Sequence, residues 1–294
     1  MNAKELRNEY LLSGHGCCPG CSIPIILRAA SQTLGENTIA VITAGCLGTI
    51  SGNFPTSPIK LATYNTTFPS TAAAASGVRA ALDMKGDATT TVLAIAGDGG
   101  TFDIGIQAVS GAAERNDDFI YLCYDNEAYM NTGIQRSSAT PWGAWTTTTP
   151  ALNLKDQPKK DIVQIMVAHR VPYVATASIA YPEDFIRKIK KAKETRGFKF
   201  IYVFSPCPVG WRFPSELTIR LARLAVQTKV FPLYEVESNE RYVLNEEPEG
   251  IPVSEYLKPQ GRFGFLREGD IERIQANVDQ EWKRLMNRMG SRPT

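Results

Sequence analysis

Val92-Leu93-Ala94-Ile95-Ala96 runs straight into Gly97-Asp98-Gly99-Gly100, and the run from Phe119 to Tyr124 empties into Asp125-Asn126-Glu127-Ala128. Short continuous apolar runs bounded by turn residues read as strands buried on both faces. Phe102 to Asn116 lies between them and is long enough for one crossover helix, so the pair forms a βαβ unit with parallel strands. Both strand ends then open on the same edge of the sheet, where open α/β sheets take their ligands. An Asp between glycines can turn its carboxylate outward because the bend has no Cβ in its way. The helix after Gly100 would point backbone N–H groups at an anion. Mg²⁺ requires six hard oxygens in near-octahedral array. Asp98, the Asn126 amide oxygen and the Ala128 carbonyl can supply three, with diphosphate oxygens and water as the rest. Gly-Asp-Gly alone is also an ordinary surface turn. The strand before it and the Asn at the tip of the next strand favour the metal–diphosphate seat.

Working outward, further strand candidates are Thr38 to Ala44, Tyr173 to Ala177 and Phe198 to Phe204, and helix candidates are Ile23 to Leu34, Ser70 to Met84, Asp161 to His169 and Pro182 to Thr195. This alternation predicts an α/β fold, a mostly parallel sheet with helices on both faces. Pro141 to Pro150, with Trp142, Trp145 and a threonine run, interrupts the alternation as long functional loops do. Beyond Phe231 the pattern gives way to a Pro- and Glu-containing stretch and a terminal helix from Asp270 to about Met289. The expected division is residues 1–230 as the ligand-binding domain and 231–294 as an extended C-terminal tail lying on partner subunits.

The 294 residues can bury a sizeable core, and 43% hydrophobic with 21% charged residues is an ordinary globular composition. A formal net charge of +2 gives no reason to expect nucleic acid or an anionic membrane. The chain has no apolar run of the ~18 residues that a membrane-spanning helix needs, and Met1 to Asn8 carry no apolar signal core, so a cytoplasmic protein is expected. In that setting the six cysteines are thiols or ligands rather than disulfides. Cys18 and Cys21 form a Cys-Pro-Gly-Cys knuckle before a helix, Cys46 follows a strand, and Cys207 follows another in Ser205-Pro206-Cys207-Pro208. Three of these four follow turns or strand ends, where side chains can project into a shared site. Zinc is one possible guest of four thiolates, although structural zinc usually uses two short knuckles. A redox dithiol would not need Cys46 and Cys207.

Taken together, Gly14-His15, the knuckle, Gly45-Cys46, Gly97-Asp98-Gly99, the string from Asp125 through Tyr129-Met130-Asn131 to Ser137, Thr140-Pro141 and Ser205-Pro206-Cys207-Pro208 cover most of the chain. The chain resembles the β subunit of the 2-oxoacid:ferredoxin oxidoreductases, in particular the pyruvate synthase branch. The resemblance implies a thiamine-diphosphate-binding fold of the pyrophosphate-binding type, with Mg²⁺ on Asp98, Asn126 and the Ala128 carbonyl. It implies a [4Fe-4S] cluster on Cys18, Cys21, Cys46 and Cys207. Cofactor contacts would come from Cys46, Gly97, Gly99, Gly100, Tyr129 and Asn131, with Asn131 nearest the reacting carbon as the catalytic candidate. The implied reaction is reversible oxidative decarboxylation of a 2-oxoacid, most readily pyruvate to acetyl-coenzyme A and carbon dioxide. Electrons would pass through the cluster to ferredoxin. Oxalate, a branched oxoacid, or a non-redox thiamine-dependent decarboxylase or synthase are the alternatives. Partners of α, γ and δ type would supply the domain facing the pyrimidine ring. Many family members continue the knuckle with Gly-Glu, whereas here Ser22-Ile23-Pro24 follows Cys21, so that carboxylate is missing and substrate choice is affected.

Of the remaining residues, Cys123 reads as a small buried hydrophobe, Cys17 as unliganded and His169 as a helix C-terminal cap. His15 reads as a local hydrogen-bond partner more than a catalyst. Lys188, Lys190, Lys191 and Lys193 read as a solvated helix face, with a ferredoxin-docking patch as the lesser reading.

Overall fold

The computed structural model describes residues 8–53, 55–238 and 240–290. The chain runs α1 (Ile23–Leu34), β1 (Thr38–Thr43), α2 (Cys46–Ser51), β2 (Ala62–Thr66), α3 (Thr71–Met84) and β3 (Thr91–Gly97). It continues with α4 (Ile106–Glu114), β4 (Ile120–Asp125), α5 (Ile162–Ala168), β5 (Tyr173–Ser178), α6 (Pro182–Glu194) and β6 (Lys199–Phe204). After these come α7 (Pro208–Trp211), α8 (Thr218–Gln227), β7 (Tyr234–Glu237), β8 (Arg241–Leu244), α9 (Val253–Leu257) and α10 (Glu268–Gly290).

The strands form one sheet in the order β2-β1-β3-β4-β6-β5-β7-β8. The first six are mutually parallel, and β7 and β8 add an antiparallel hairpin beside β5. Alternate residues of β3 feed the two cores: Val92, Ala94 and Ala96 join one, Leu93 and Ile95 the other. The first core takes in α3, α4 and α5, and the second α1 and α6. Both faces of the sheet are covered, as the continuous apolar runs require. From β1 the chain moves outward to β2 and then returns to β3 on the opposite side, so the ends of β1 and β3 flank a topological switch point.

Three strands were not expected. β2 is Ala-Thr-Tyr-Asn-Thr, an edge strand exposed along most of its length, and has none of the apolar signal that marks a buried one. β7 and β8 are short and lie within what reads as tail. Val253, Tyr256, Leu257, Phe263, Val278 and Leu285 then pack into the first core, so residues 234–290 continue the same body. The crossover helix also differs from the expected span. Gly99–Asp103 forms a π-helical turn before α4 begins at Ile106. The turn brings the Gly100 carbonyl so close to Gly105 that a Cβ there would lie 1.9 Å from it.

The lysine run on α6 is solvated only in part: Lys193 is exposed and Lys190 and Lys191 are half-buried. Lys188 is fully buried, with its ammonium on Asp184 at 2.5 Å and the Thr176 carbonyl at 2.8 Å. Lys191 pairs with Glu235 and Glu237 of β7, and Lys193 donates to the Leu34 carbonyl at 2.8 Å. Acidic partners thus meet Lys188 and Lys191. His169 does stand at the C-terminal end of α5, but its Nε2 meets Ser110 Oγ of α4 at 3.0 Å. Cys123 is buried.

Candidate active site

β3 ends in Gly97 and delivers Asp98 to the carboxyl edge of the sheet, where it is 1% exposed. Burial pushes its carboxyl well above the usual range, and the neighbouring Asp125 adds to the shift against a 2.5 Å hydrogen bond donated by Ser137 Oγ. β4 ends in Asp125 and leads into a tight turn. There the Asn126 side chain faces Asp98 and the Ala128 carbonyl, one amide atom lying 2.9 Å from Asp98 Oδ1 and 2.9 Å from Ala128 O. With nitrogen inward, the amide donates to both. With oxygen inward, as a bound cation would draw it, the amide oxygen faces the Asp98 and Ala128 oxygens. Bonds of 2.0–2.1 Å at right angles put neighbouring octahedral oxygens about 2.9 Å apart. The donor set therefore fits Mg²⁺ in chemistry and in spacing.

The cleft above these atoms is lined by every expected cofactor-contact residue except Gly100: Cys46, Gly97, Asp98, Gly99, Asn126, Ala128, Tyr129 and Asn131. Gly100 sits just behind, against Thr43 and Phe68. The glycines are required by space. A Cβ on Gly99 would lie 2.5 Å from the Tyr129 ring, and one on Gly97 3.1 Å from Tyr124. Tyr129 donates to the Gly99 carbonyl at 3.2 Å and stacks on Phe68 with ring centroids 5.6 Å apart. Burial, helped by Asp103, pushes its hydroxyl up to about 12. Asn131 stands at the rim, where its amide oxygen accepts from Thr49 Oγ1 at 3.4 Å.

The four expected cluster thiols are free and come from three segments of the chain, the knuckle, the Cys46 turn and the Cys207 loop, near enough to influence one another electrostatically. Burial pushes Cys46 up to about 12, and Cys207, Cys21 and Cys18 each add to it. Cys207 rises to about 11, from burial first and then from Cys21 and Cys18 against an N–H from Gly210. Ser22 Oγ meets Ser205 Oγ at 2.6 Å and donates to the Pro206 carbonyl at 3.1 Å, and Thr218 Oγ1 donates to the Gly20 carbonyl at 2.7 Å. These bonds stitch the knuckle to the Cys207 loop. Among the described residues, no three His, Cys, Asp or Glu side chains approach closely enough to hold a metal ion. Cys17 hydrogen-bonds with Cys21, which lowers the Cys21 thiol and raises its own. His15 Nδ1 is buried without a hydrogen-bond partner, and Ile23 is buried in the second core.

Sequence reasoning missed the shell behind the donors. Lys159 pairs with both Asp125 and Glu127, Tyr202 donates to Asp125, and Arg262 forms a close ion pair with Glu127 at 2.6 Å. Burial alone would raise Glu127, but Lys159 and Arg262 hold it below its ordinary value. Trp211 Nε1 donates to the Asn126 carbonyl at 2.7 Å. Ser137 lay inside the quoted string, whereas Arg262 lies in a segment with no sequence signal of its own.

Residues 43–203 match the family described as the thiamine pyrophosphate enzyme C-terminal TPP-binding domain. The ketoisovalerate oxidoreductase subunit VorB of Pyrococcus furiosus is 50% identical, over 94% of this chain and 92% of that one. The pyruvate synthase subunit PorB of Methanocaldococcus jannaschii is 48% identical, over 95% and 97%. The chain belongs to the β-subunit family of the 2-oxoacid:ferredoxin oxidoreductases. The fold likeness extends to a 2-oxoglutarate:ferredoxin oxidoreductase from Magnetococcus marinus, at TM-score 0.60 and 23% identity over 76% of this chain and 81% of that one. The TPP-binding match runs from the end of β1 into β6, and so includes both strand ends that carry the oxygen donors.

Proposed function

We propose that this chain is the thiamine-diphosphate-binding subunit of a 2-oxoacid:ferredoxin oxidoreductase acting on pyruvate. The observation that carries the reading is the meeting of Asp98 Oδ1, the Asn126 amide and the Ala128 carbonyl at 2.9 Å, a ready seat for the magnesium of a diphosphate. Gly97, Gly99 and Gly100 leave room for the coenzyme, Tyr129 and Cys46 wall it, and Asn131 at the rim orients the oxoacid. The bound coenzyme supplies the nucleophilic carbon that accepts the keto carbon and releases carbon dioxide. Four thiols, Cys18, Cys21, Cys46 and Cys207, would hold a [4Fe-4S] cluster, which suits soft ligands. Cys46 lines the coenzyme cleft and also belongs to the thiol group, which supports direct electron transfer between them. Pyruvate, coenzyme A and two oxidised ferredoxins would yield acetyl-coenzyme A, carbon dioxide, a proton and two reduced ferredoxins.

The described residues carry one sheet, so the domain facing the pyrimidine ring would come from a partner subunit, and the C-terminal residues 231–294 would lie near it. Six free cysteines suit a reducing cytoplasm. No described helix is long and apolar enough to cross a membrane.

The 50% identity to a ketoisovalerate oxidoreductase subunit favours a branched 2-oxoacid as a second reading. Comparing kcat/KM for pyruvate and 2-oxoisovalerate in the purified complex decides between them. Asp98→Ala should abolish Mg²⁺-dependent binding of thiamine diphosphate. Undiminished binding in that variant would overturn the proposal.

A further inference from the structure

Two of the three proposed magnesium donors lie on the Asp125–Ala128 turn, and the residue between them is strained. Glu127 has φ +65°, in the left-handed region that residues with a Cβ seldom enter. Several contacts hold the turn. The Glu127 N–H donates to Asp125 Oδ1 at 2.9 Å, Thr140 Oγ1 donates to the Glu127 carbonyl at 2.7 Å, and Trp211 pins the Asn126 carbonyl. The Glu127 side chain is 3% exposed and is gripped between Lys159 at 2.7 Å and Arg262 at 2.6 Å.

Arg262 comes from far along the chain, just after α9. It is 2% exposed, with its guanidinium carbon 3.7 Å from the centre of the Trp211 ring. Its Nε donates to Gln260 Oε1 at 2.8 Å, one Nη donates to the Tyr256 hydroxyl at 3.2 Å, and its carbonyl accepts from Trp145 N–H at 2.9 Å. The residue thus touches both the acid at the apex of the turn and the indole that fixes the turn's carbonyl.

We propose that Arg262 is a positioning residue for the metal, and that through it the C-terminal segment controls magnesium affinity. By pairing with Glu127 and covering Trp211, it keeps the turn left-handed, with the Asn126 side chain and the Ala128 carbonyl both facing Asp98. This inference rests on the magnesium reading of those three oxygens. A buried ion pair can also serve stability alone, or fold specificity. What singles this pair out is its place on the one residue that separates two donors. Outer partners that orient metal ligands typically alter metal affinity about 10–100-fold when removed.

The test uses the whole complex, stripped of metal by a chelator, with Mg²⁺ titrated at saturating thiamine diphosphate and binding followed by calorimetry. Arg262→Met keeps an unbranched stem over Trp211 and removes the charge. It should raise the Mg²⁺ half-saturation about 10–100-fold, while kcat at saturating Mg²⁺ stays near the parent value. Glu127→Gly/Arg262→Met removes both buried charges and places at the turn a residue that adopts φ +65° without strain. That double variant should return the Mg²⁺ half-saturation close to the parent value. An Arg262→Met complex that melts earlier with unchanged Mg²⁺ half-saturation would show a merely structural pair and overturn the proposal. A double variant retaining the whole defect would overturn it as well. Asp98→Ala separates the two levels. If it abolishes the Mg²⁺ response while Arg262→Met does not change it, only the clamp fails; if it has no effect, the metal reading falls and takes the clamp with it.

Discussion

Gly99→Ala is the sharpest probe of the cleft, because its cost can be worked from distances. A Cβ at this position would lie 2.5, 2.7 and 2.8 Å from three carbons of the Tyr129 ring. Carbon atoms in good contact are about 3.5–4.0 Å apart, so the ring must retreat by roughly 1 Å. It is not free to do so at no cost. Its hydroxyl is bonded to the Gly99 carbonyl, its face lies on Phe68, and its backbone is paired with Gln135 through bonds of 2.9 and 3.2 Å. Overpacking of this kind costs about 1–3 kcal/mol, and losing the hydroxyl bond adds about 1 kcal/mol. Tyr129 walls the cleft, so most of this penalty should fall on coenzyme binding. At tenfold per 1.4 kcal/mol, the half-saturation for thiamine diphosphate should rise about 10–100-fold.

The assay is equilibrium dialysis of thiamine diphosphate against the stripped complex at saturating Mg²⁺. A double-mutant cycle sharpens it: with Tyr129→Ala already present, adding Gly99→Ala meets no ring and should change affinity little, so the two substitutions couple strongly. Parental affinity in the single Gly99→Ala variant would refute the reasoning, because it would mean that the ring yields freely and is not a fixed wall.

Four further outcomes are expected. Serine at Cys18, Cys21, Cys46 or Cys207 should each deplete iron and acid-labile sulfide in anaerobically purified complex, whereas Cys17→Ser and Cys123→Ser should not; retained iron in any of the first four removes that residue from the ligand set. Burial lowers Lys188 to about 8, against about 10.4 in an unfolded chain, so between these values the unfolded state binds more protons and stability rises with pH. Relative to Lys188→Met, the wild-type chain should therefore gain up to about 3 kcal/mol from pH 8 to 10.5 in urea unfolding, and a flat difference contradicts this burial. Lys191→Glu sets a third acid against Glu235, which is 1% exposed, and should cost about 3–5 kcal/mol. Lys190→Glu should leave ferredoxin-linked turnover unchanged, and a loss there would favour the docking reading of α6.

Signals carried by neighbours in sequence were legible, and signals carried by partners across the fold were not. The β3 and β4 runs are apolar, end in turn residues and lie one helix apart, so local pattern gives their parallel pairing and the common edge they reach. Asp98, Asn126 and Ala128 follow from that placement. β2 escaped because an exposed edge strand owes its existence to hydrogen bonds with β1, which side-chain polarity does not reveal. The partners of Lys188 and Lys191 on α6 escaped for a related reason. Helical spacing shows which residues share a face, but it cannot show that Glu235 and Glu237 will arrive from β7 to meet Lys191, or that the Thr176 carbonyl will receive Lys188. Arg262 is the extreme case. Its neighbours Gly261 and Phe263 carry no catalytic pattern, and its importance appears only when the last third of the chain folds back over Trp211 and reaches Glu127. A turn that must hold a left-handed residue between two proposed metal donors needs support from outside itself. The chain supplies it from a segment whose own composition reads as tail, with Arg262 packed on Trp211 and paired with Glu127.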